Sequence, residues 1–171
     1  MTLDEIAYNI KNIVEGGISG EDSNISIRQV RSMVHYHRAQ LLMKYTNNGR
    51  FLSKVLFQTV ASNQPFFEIP AFLGFANNKA IGGPDKYYAT LSYNGFTVPT
   101  GATSGTENMI HVYESSGELL VDENWTTYVS LIASNPEKVP GFSNTTSTYP
   151  IPEELVSSLV QQVLSTEFNI I

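Results

Sequence analysis

Apolar residues follow helical spacing near the N-terminal end of the chain. Between residues 3 and 14 they recur at intervals of three and four, which gives a helix one apolar face. Thr2 and Glu5 can form a capping box, and Gly16-Gly17 is a suitable helix end. We therefore predict a short first helix. Its expected core positions are Leu3, Ile6, Ala7, Ile10, Ile13 and Val14.

A second helix is predicted from Ser26 to about Thr46. Ser26 and Gln29 form a second capping box, and Asn47-Asn48-Gly49 is typical of a helix end. The expected core positions are Ile27, Val30, Val34, Leu41 and Tyr45. The basic residues of this helix recur at three, four and three, so we expect them to share a different face: Arg28, Arg31, His35 and Arg38.

Residues 55–134 favour β structure, because short runs rich in β-branched and aromatic residues alternate with prolines and turn signals. Asn94-Gly95 and Ser116-Gly117 are typical of tight turns. Short strands at this spacing indicate a small antiparallel barrel or sandwich. The predicted strands are Val55 to Ala61, Phe66 to Ile69, Tyr87 to Tyr93, Met109 to Glu114, Glu118 to Val121 and Thr126 to Ala133.

A third helix is predicted near the C-terminal end. Asn135-Pro136 ends the last strand, and residues 136–148 form a polar connector. Pro152 suits a first helical turn, where Glu153 and Glu154 favour the positive end of the helix dipole. The apolar positions that follow are Leu155, Val156, Leu159, Val160, Val163 and Leu164.

Together these elements predict an α+β fold. Residues 1–54 and 149–171 form a helical body, residues 55–135 an inserted β-rich segment, and residues 136–148 the connector between them.

The charges are divided unevenly along the chain. Residues 24–67 contain six Lys/Arg and no Asp or Glu, whereas residues 1–23 sum to −4 and residues 68–171 to −8, which gives the net charge of −6. Such a division indicates a charged partner, either nucleic acid or the acidic part of a second copy. The candidate contact residues are Arg28, Arg31, Arg38, Lys44, Arg50 and Lys54.

The composition limits the function classes. The chain has no cysteine, so disulfides, thiolate zinc sites and cysteine nucleophiles are excluded. No stretch approaches the roughly 20 apolar residues of a membrane-spanning helix, and we expect no membrane partner. The acidic N-terminal segment lacks the pattern of a signal peptide, so we expect a protein that is made and used without export.

No catalytic motif is present, which predicts a protein without enzymatic activity or a cofactor. His35 and His37 are two residues apart and cannot share a helix face, which argues against a two-histidine metal site. Function is therefore expected at surfaces. The basic helix could pair with a neighbouring copy, or it could contact a phosphate backbone as a nucleic-acid-binding module over residues 26–46. A carbohydrate hydrolase ranks last, since no acid/base pair is evident.

Three blocks of sequence are informative when taken together. The first block is Leu3 to Ile10, Gly16-Gly17 and Ile25 to Val30; the second is Phe67 to Pro70 and Asn78 to Ile81; the third is Val129 to Ile132, Asn135 to Val139 and Tyr149 to Leu155. In this order they resemble the ring or adaptor proteins in the neck and tail of crAss-like, short-tailed bacteriophages. These segments contain helix starts, helix ends and turns, and no active-site signature.

The resemblance implies an adaptor-like helical body and a structural role in the virion. Copies would form a closed ring of about twelve subunits around the DNA channel. The expected partners are further copies, the portal protein, other ring and tail proteins, and genomic DNA passing without sequence recognition. Assembly would take place in the host cytoplasm.

Overall fold

The computed structural model divides the chain into two compact units. It describes residues 1–17, 25–45, 53–63, 66–75, 81–82, 87–93, 96–98, 108–114 and 127–170. The helical unit comprises Met1–Asn47 with Gly141–Ile171, and the β unit comprises Asn48–Pro140. Residues 48–54 thus fall in the β unit, whereas residues 141–148 of the predicted connector fall in the helical unit.

The described part of the helical unit contains the three predicted helices, α1 (Leu3–Gly17), α2 (Ile27–Lys44) and α3 (Glu153–Phe168). Both capping boxes are confirmed. The backbone N–H of Thr2 donates to Glu5 at 2.7 Å, and that of Glu5 donates to the Thr2 hydroxyl at 3.2 Å. Ser26 and Gln29 make the equivalent pair at the start of α2. These side chains satisfy amide groups that a helix start otherwise leaves without partners.

Each helix of this unit packs against the other two. Two predicted core positions are wrong, because Ile13 is 40% exposed and Tyr45 is 37% exposed. The remaining positions agree with the apolar spacing, since they are buried or packed against the buried cluster. The buried residues are Leu3, Ile6, Ala7, Ile10, Val14, Val30, Val34, Tyr149, Ile151, Leu159, Val163 and Leu164.

The segment before α3 is tied to the start of α1. The backbone N–H of Asp4 donates to the carbonyl of Asn144 at 3.1 Å, and that of Tyr149 donates to the carbonyl of Met1 at 3.0 Å. Thr2 also forms an antiparallel bridge with Thr148. Residues 141–148 are therefore part of the helical unit's hydrogen-bonded structure rather than a polar spacer.

The β unit contains two antiparallel sheets among its described residues. Its strands are β1 (Gln58–Ser62), β2 (Phe66–Ile69), β3 (Phe72–Phe75), β4 (Ile81–Gly82), β5 (Tyr87–Tyr93), β6 (Phe96–Val98), β7 (Asn108–Glu114) and β8 (Thr127–Ala133). In one sheet β8 pairs with β1, β3 and β4; the other has the order β2-β7-β5-β6. The α+β class is confirmed, whereas closure into a barrel or sandwich stays a prediction.

Five predicted strands overlap β1, β2, β5, β7 and β8, but the first was predicted to begin too early, because Lys54–Leu56 form a 3-10 helix. The bounds of β2 and β5 match, whereas β3, β4 and β6 were not predicted. β3 follows Pro70 and contains Gly74, two residues that argue against a strand in sequence, and its pairing with β8 is irregular between Phe72 and Gly74. Some predictions lie outside the described residues: the strand 118–121 and the turns at Asn47-Asn48-Gly49, Asn94-Gly95 and Ser116-Gly117.

Candidate functional site

Arg38 does not lie on a surface. Its side chain is fully buried, its Nε donates to the carbonyl oxygen of Pro150 at 2.7 Å, and its guanidinium lies 5.5 Å from the centre of the Tyr149 ring. Desolvation by burial lowers the pKa of Arg38, and the neighbouring Tyr149 partly offsets this effect. The prediction that Arg38 contacts DNA or another subunit is wrong, because the residue is enclosed by its own chain.

The two histidines of α2 are also buried. His35 Nδ1 lies 2.9 Å from the Tyr149 hydroxyl, and His37 Nε2 lies 2.8 Å from Glu167 Oε1 on α3. His35 therefore does not belong to an exposed basic face either. The reason is that α2 contacts both α1 and α3, so more of its circumference is covered than the apolar spacing alone indicates. We call Arg38, His35 and Tyr149 the buried polar cluster, because both α2 side chains contact Tyr149.

Arg31 is occupied by a carboxylate of its own chain. Its Nη2 and Nε lie 2.6 Å and 2.8 Å from Oδ1 of Asp4, in the first turn of α1. Both side chains are largely buried, which strengthens a charge-assisted pair. The predicted partner of Arg31, a carboxylate of another subunit or a phosphate, is thus replaced by Asp4.

The other predicted basic residues have different surroundings. Arg28 and Lys44 are exposed near the two ends of α2, Lys54 is exposed in the β unit, and Arg50 lies outside the described residues. Of the basic residues on α2, two therefore remain available to a partner.

An exposed face of α2 lies between these two cations. We call it the α2 outer face; its residues are Gln29, Ser32, Tyr36, Gln40 and Met43, all exposed. Tyr36 is 59% exposed and Met43 is 56% exposed, and Gln40 donates to the Tyr36 hydroxyl at 2.9 Å. Tyr and Met are enriched in the cores of protein interfaces. Sequence reasoning missed this face, although the seven-residue separation of Tyr36 and Met43 was a signal.

An apolar groove lies between α1 and α3. This α1–α3 groove has a volume of about 420 Å³. Its lining residues are Met1, Asn9, Val156, Ser157, Val160, Gln161, Leu164 and Ile170. Val156, Val160 and Leu164 were predicted as core positions; Leu164 is buried and the other two are partly buried, so one side of this apolar face remains accessible.

Charge in the helical unit is divided between helices. α2 contains four Lys/Arg and no carboxylate, whereas α1 and α3 together contain six carboxylates and one lysine. Glu5 precedes Asn9 by one turn of α1, and Glu153 precedes Val156 and Ser157 by one turn of α3, so both exposed carboxylates share the faces that border the groove. The α2 outer face and the groove therefore lie beside residues of opposite charge.

The Tyr45 hydroxyl, 3.2 Å from Glu154 Oε1, supplies a pH-dependent link between α2 and α3. The hydrogen bond to Glu154 and the charge of that carboxylate raise the pKa of Tyr45 above its usual value. A raised pKa means that the link is present below the ordinary tyrosine pKa of about 10 and is lost as the pH rises through the raised value.

We expect Glu154→Gln to lower the pKa of Tyr45, measured by NMR titration of its ring carbon. An unchanged titration would contradict the contact.

The described residues contain no group of three or more His, Asp or Glu side chains placed to hold a metal ion. Nor does that part of the chain contain a helix long and apolar enough to cross a membrane. No protein-family model matches the chain, and no curated protein is significantly similar to it.

Proposed function

We propose that this protein is a non-enzymatic structural component of a virion, which forms a ring in the portal and tail assembly of a short-tailed bacteriophage. The ring would connect the portal to the tail around the DNA channel, and it would be assembled in the host cytoplasm. Three blocks of sequence that resemble such ring or adaptor proteins support the proposal.

The structural observation that carries the proposal is that one helical unit presents two different accessible surfaces. The α2 outer face exposes Tyr36 and Met43, and the α1–α3 groove exposes parts of Val156 and Val160. Exposed Tyr and Met side chains and apolar grooves that accept a helix are both common features of protein-association sites. A ring needs two unlike surfaces on each subunit, because its contacts are head-to-tail.

The nucleic-acid-binding alternative is weakened. Of the four cations that it assigns to residues 26–46, Arg38 is buried and Arg31 is paired with Asp4. Only Arg28 and Lys44 of these four remain, and two cations are few for phosphate-backbone binding by a chain with a net charge of −6.

We therefore expect duplex DNA mixed with the isolated protein at low salt to show no mobility shift. A salt-dependent shift abolished by Arg28→Ala with Lys44→Ala would restore the alternative.

Ring formation predicts a large change in mass. We expect the protein, alone or with portal protein, to form a closed species of about twelve 18.9-kDa chains. Mass photometry would give the subunit number, and negative-stain images would show whether the species is closed. A chain that stays monomeric at micromolar concentration and also in the presence of portal protein would contradict the proposal.

A further inference from the structure

We infer that the α2 outer face of one copy docks in the α1–α3 groove of the next copy, an interface that rests on the proposed ring. Each copy would then present one surface to each neighbour. The occupant of the groove is the second copy itself, through Tyr36 and Met43.

The positions of the two surfaces permit such a repeat. α2 packs against α1 and α3 through its buried side, so its exposed side points away from both. No residue of α2 lines the groove, which is open to solvent, so the groove lies on the side of α1 and α3 remote from α2. When two complementary surfaces lie on opposite sides of a subunit, each copy binds one neighbour through each surface. The copies then form a head-to-tail series, which closes into a ring if the rotation between neighbouring copies permits.

The shapes and polarity of the surfaces are also compatible. Tyr36 and Met43 are two turns apart on α2, about 10.5 Å along the axis, as in helices that insert side chains into apolar grooves. Val156, Val160 and Leu164 give the groove an apolar floor, and its polar lining residues are uncharged. The hydroxyl of Tyr36 and the amide of Gln40 could therefore remain near the polar rim.

Charge complementarity selects a second copy as the occupant. Arg28 and Lys44 are exposed at the two ends of the α2 outer face, and α2 contains no carboxylate. Glu5 and Glu153 are exposed on the faces that border the groove, and α3 contains no cation. Cations beside the α2 outer face and carboxylates beside the groove favour this association, whereas two grooves or two outer faces would bring like charges together.

Engineered cysteines can test the interface without removing native ones, because the chain has none. The test variant is Met43→Cys with Ser157→Cys, which places one thiol on each proposed surface. The matched control is Met43→Cys with Ser158→Cys: Ser158 is exposed on the same helix, but adjacent helical residues do not share a face. A short bismaleimide is added to each protein under conditions in which the wild type is oligomeric.

We expect the test variant to give a ladder of covalent multimers, at least about tenfold above the control, because docking raises the effective thiol concentration into the millimolar range. Wild-type oligomers without excess ladder formation would overturn the interface but leave the proposed ring intact. Covalent dimers from Met43→Cys alone would show a symmetric contact and would also overturn it. A monomeric wild type, with and without portal protein, would contradict both proposals.

Discussion

Replacing Arg38 with alanine is expected to lower the free energy of unfolding by about 3 kcal/mol. The substitution removes a fully buried side chain and leaves a void between α2 and the segment that precedes α3. It also removes the donor 2.7 Å from the Pro150 carbonyl, so that a buried acceptor loses its partner. Urea unfolding followed by far-UV circular dichroism would measure the loss through the helical signal.

Two further variants test whether the loss of stability comes from the buried position of Arg38 or simply from removing a positive charge from α2. Arg28→Ala removes an exposed arginine from the same helix and should change the free energy of unfolding by no more than about 0.5 kcal/mol. Arg38→Met keeps most of the volume but not the hydrogen bond, so an intermediate loss of about 1–2 kcal/mol is expected. Equal effects of Arg38→Ala and Arg28→Ala would contradict the buried position.

Helix starts could be predicted closely because their determinants are local. The hydroxyl and carboxylate of Thr2 and Glu5 act within one turn, and the same holds for Ser26 and Gln29. Apolar spacing likewise identified the faces that meet in the core. Tyr45 was misplaced because its position at the end of α2 leaves it beside Glu154 at the surface rather than beneath a neighbouring helix.

The β unit could be predicted only in part, because pairing partners are distant in sequence. β4 has two residues and β6 has three, lengths at which composition carries little information, and both are defined by their pairing with β8 and β5. β8 was predicted because seven residues with β-branched and aromatic side chains give a clear signal.

The site was predicted least well, and the reason lies in how basic residues were assigned. Spacing grouped Arg28, Arg31, His35 and Arg38 on one face, but spacing does not show what covers that face. Arg38 is enclosed by Tyr149 and Pro150, more than 100 residues away in the chain, and Arg31 pairs with Asp4 of α1. The uneven distribution of charge along the sequence corresponds in the structure to a basic α2 and to acidic helices α1 and α3.

Tyr149→Ala is expected to have the largest effect of the substitutions considered, a loss of about 4 kcal/mol in the free energy of unfolding. The side chain is 1% exposed, its hydroxyl lies 2.9 Å from His35 Nδ1, and its ring lies beneath the Arg38 guanidinium. The alanine variant therefore loses buried aromatic area and leaves two polar side chains beside a cavity. Thermal and urea unfolding of the same protein would measure the change.

Tyr149→Phe is the matched control, because it keeps the ring and removes only the hydroxyl. We expect it to cost about 1 kcal/mol, the usual scale for one buried hydrogen bond. If both variants cost the same, packing of the ring would contribute nothing, which would contradict its buried position.

A double-mutant cycle of Tyr149→Ala and Arg38→Ala then asks whether the buried polar cluster acts as one structure. Because the two side chains are in contact, removing either already disrupts the surroundings of the other, and the double variant should lose about 1–2 kcal/mol less than the sum of the single losses. Additivity within about 0.5 kcal/mol would mean that the two residues stabilise the helical unit independently. Coupling would instead show that Arg38, a cation of the predicted basic face, stabilises the helical unit from within. Any surface contact of α2 would then depend on its exposed residues, among which Arg28 and Lys44 are charged and Tyr36 and Met43 are large.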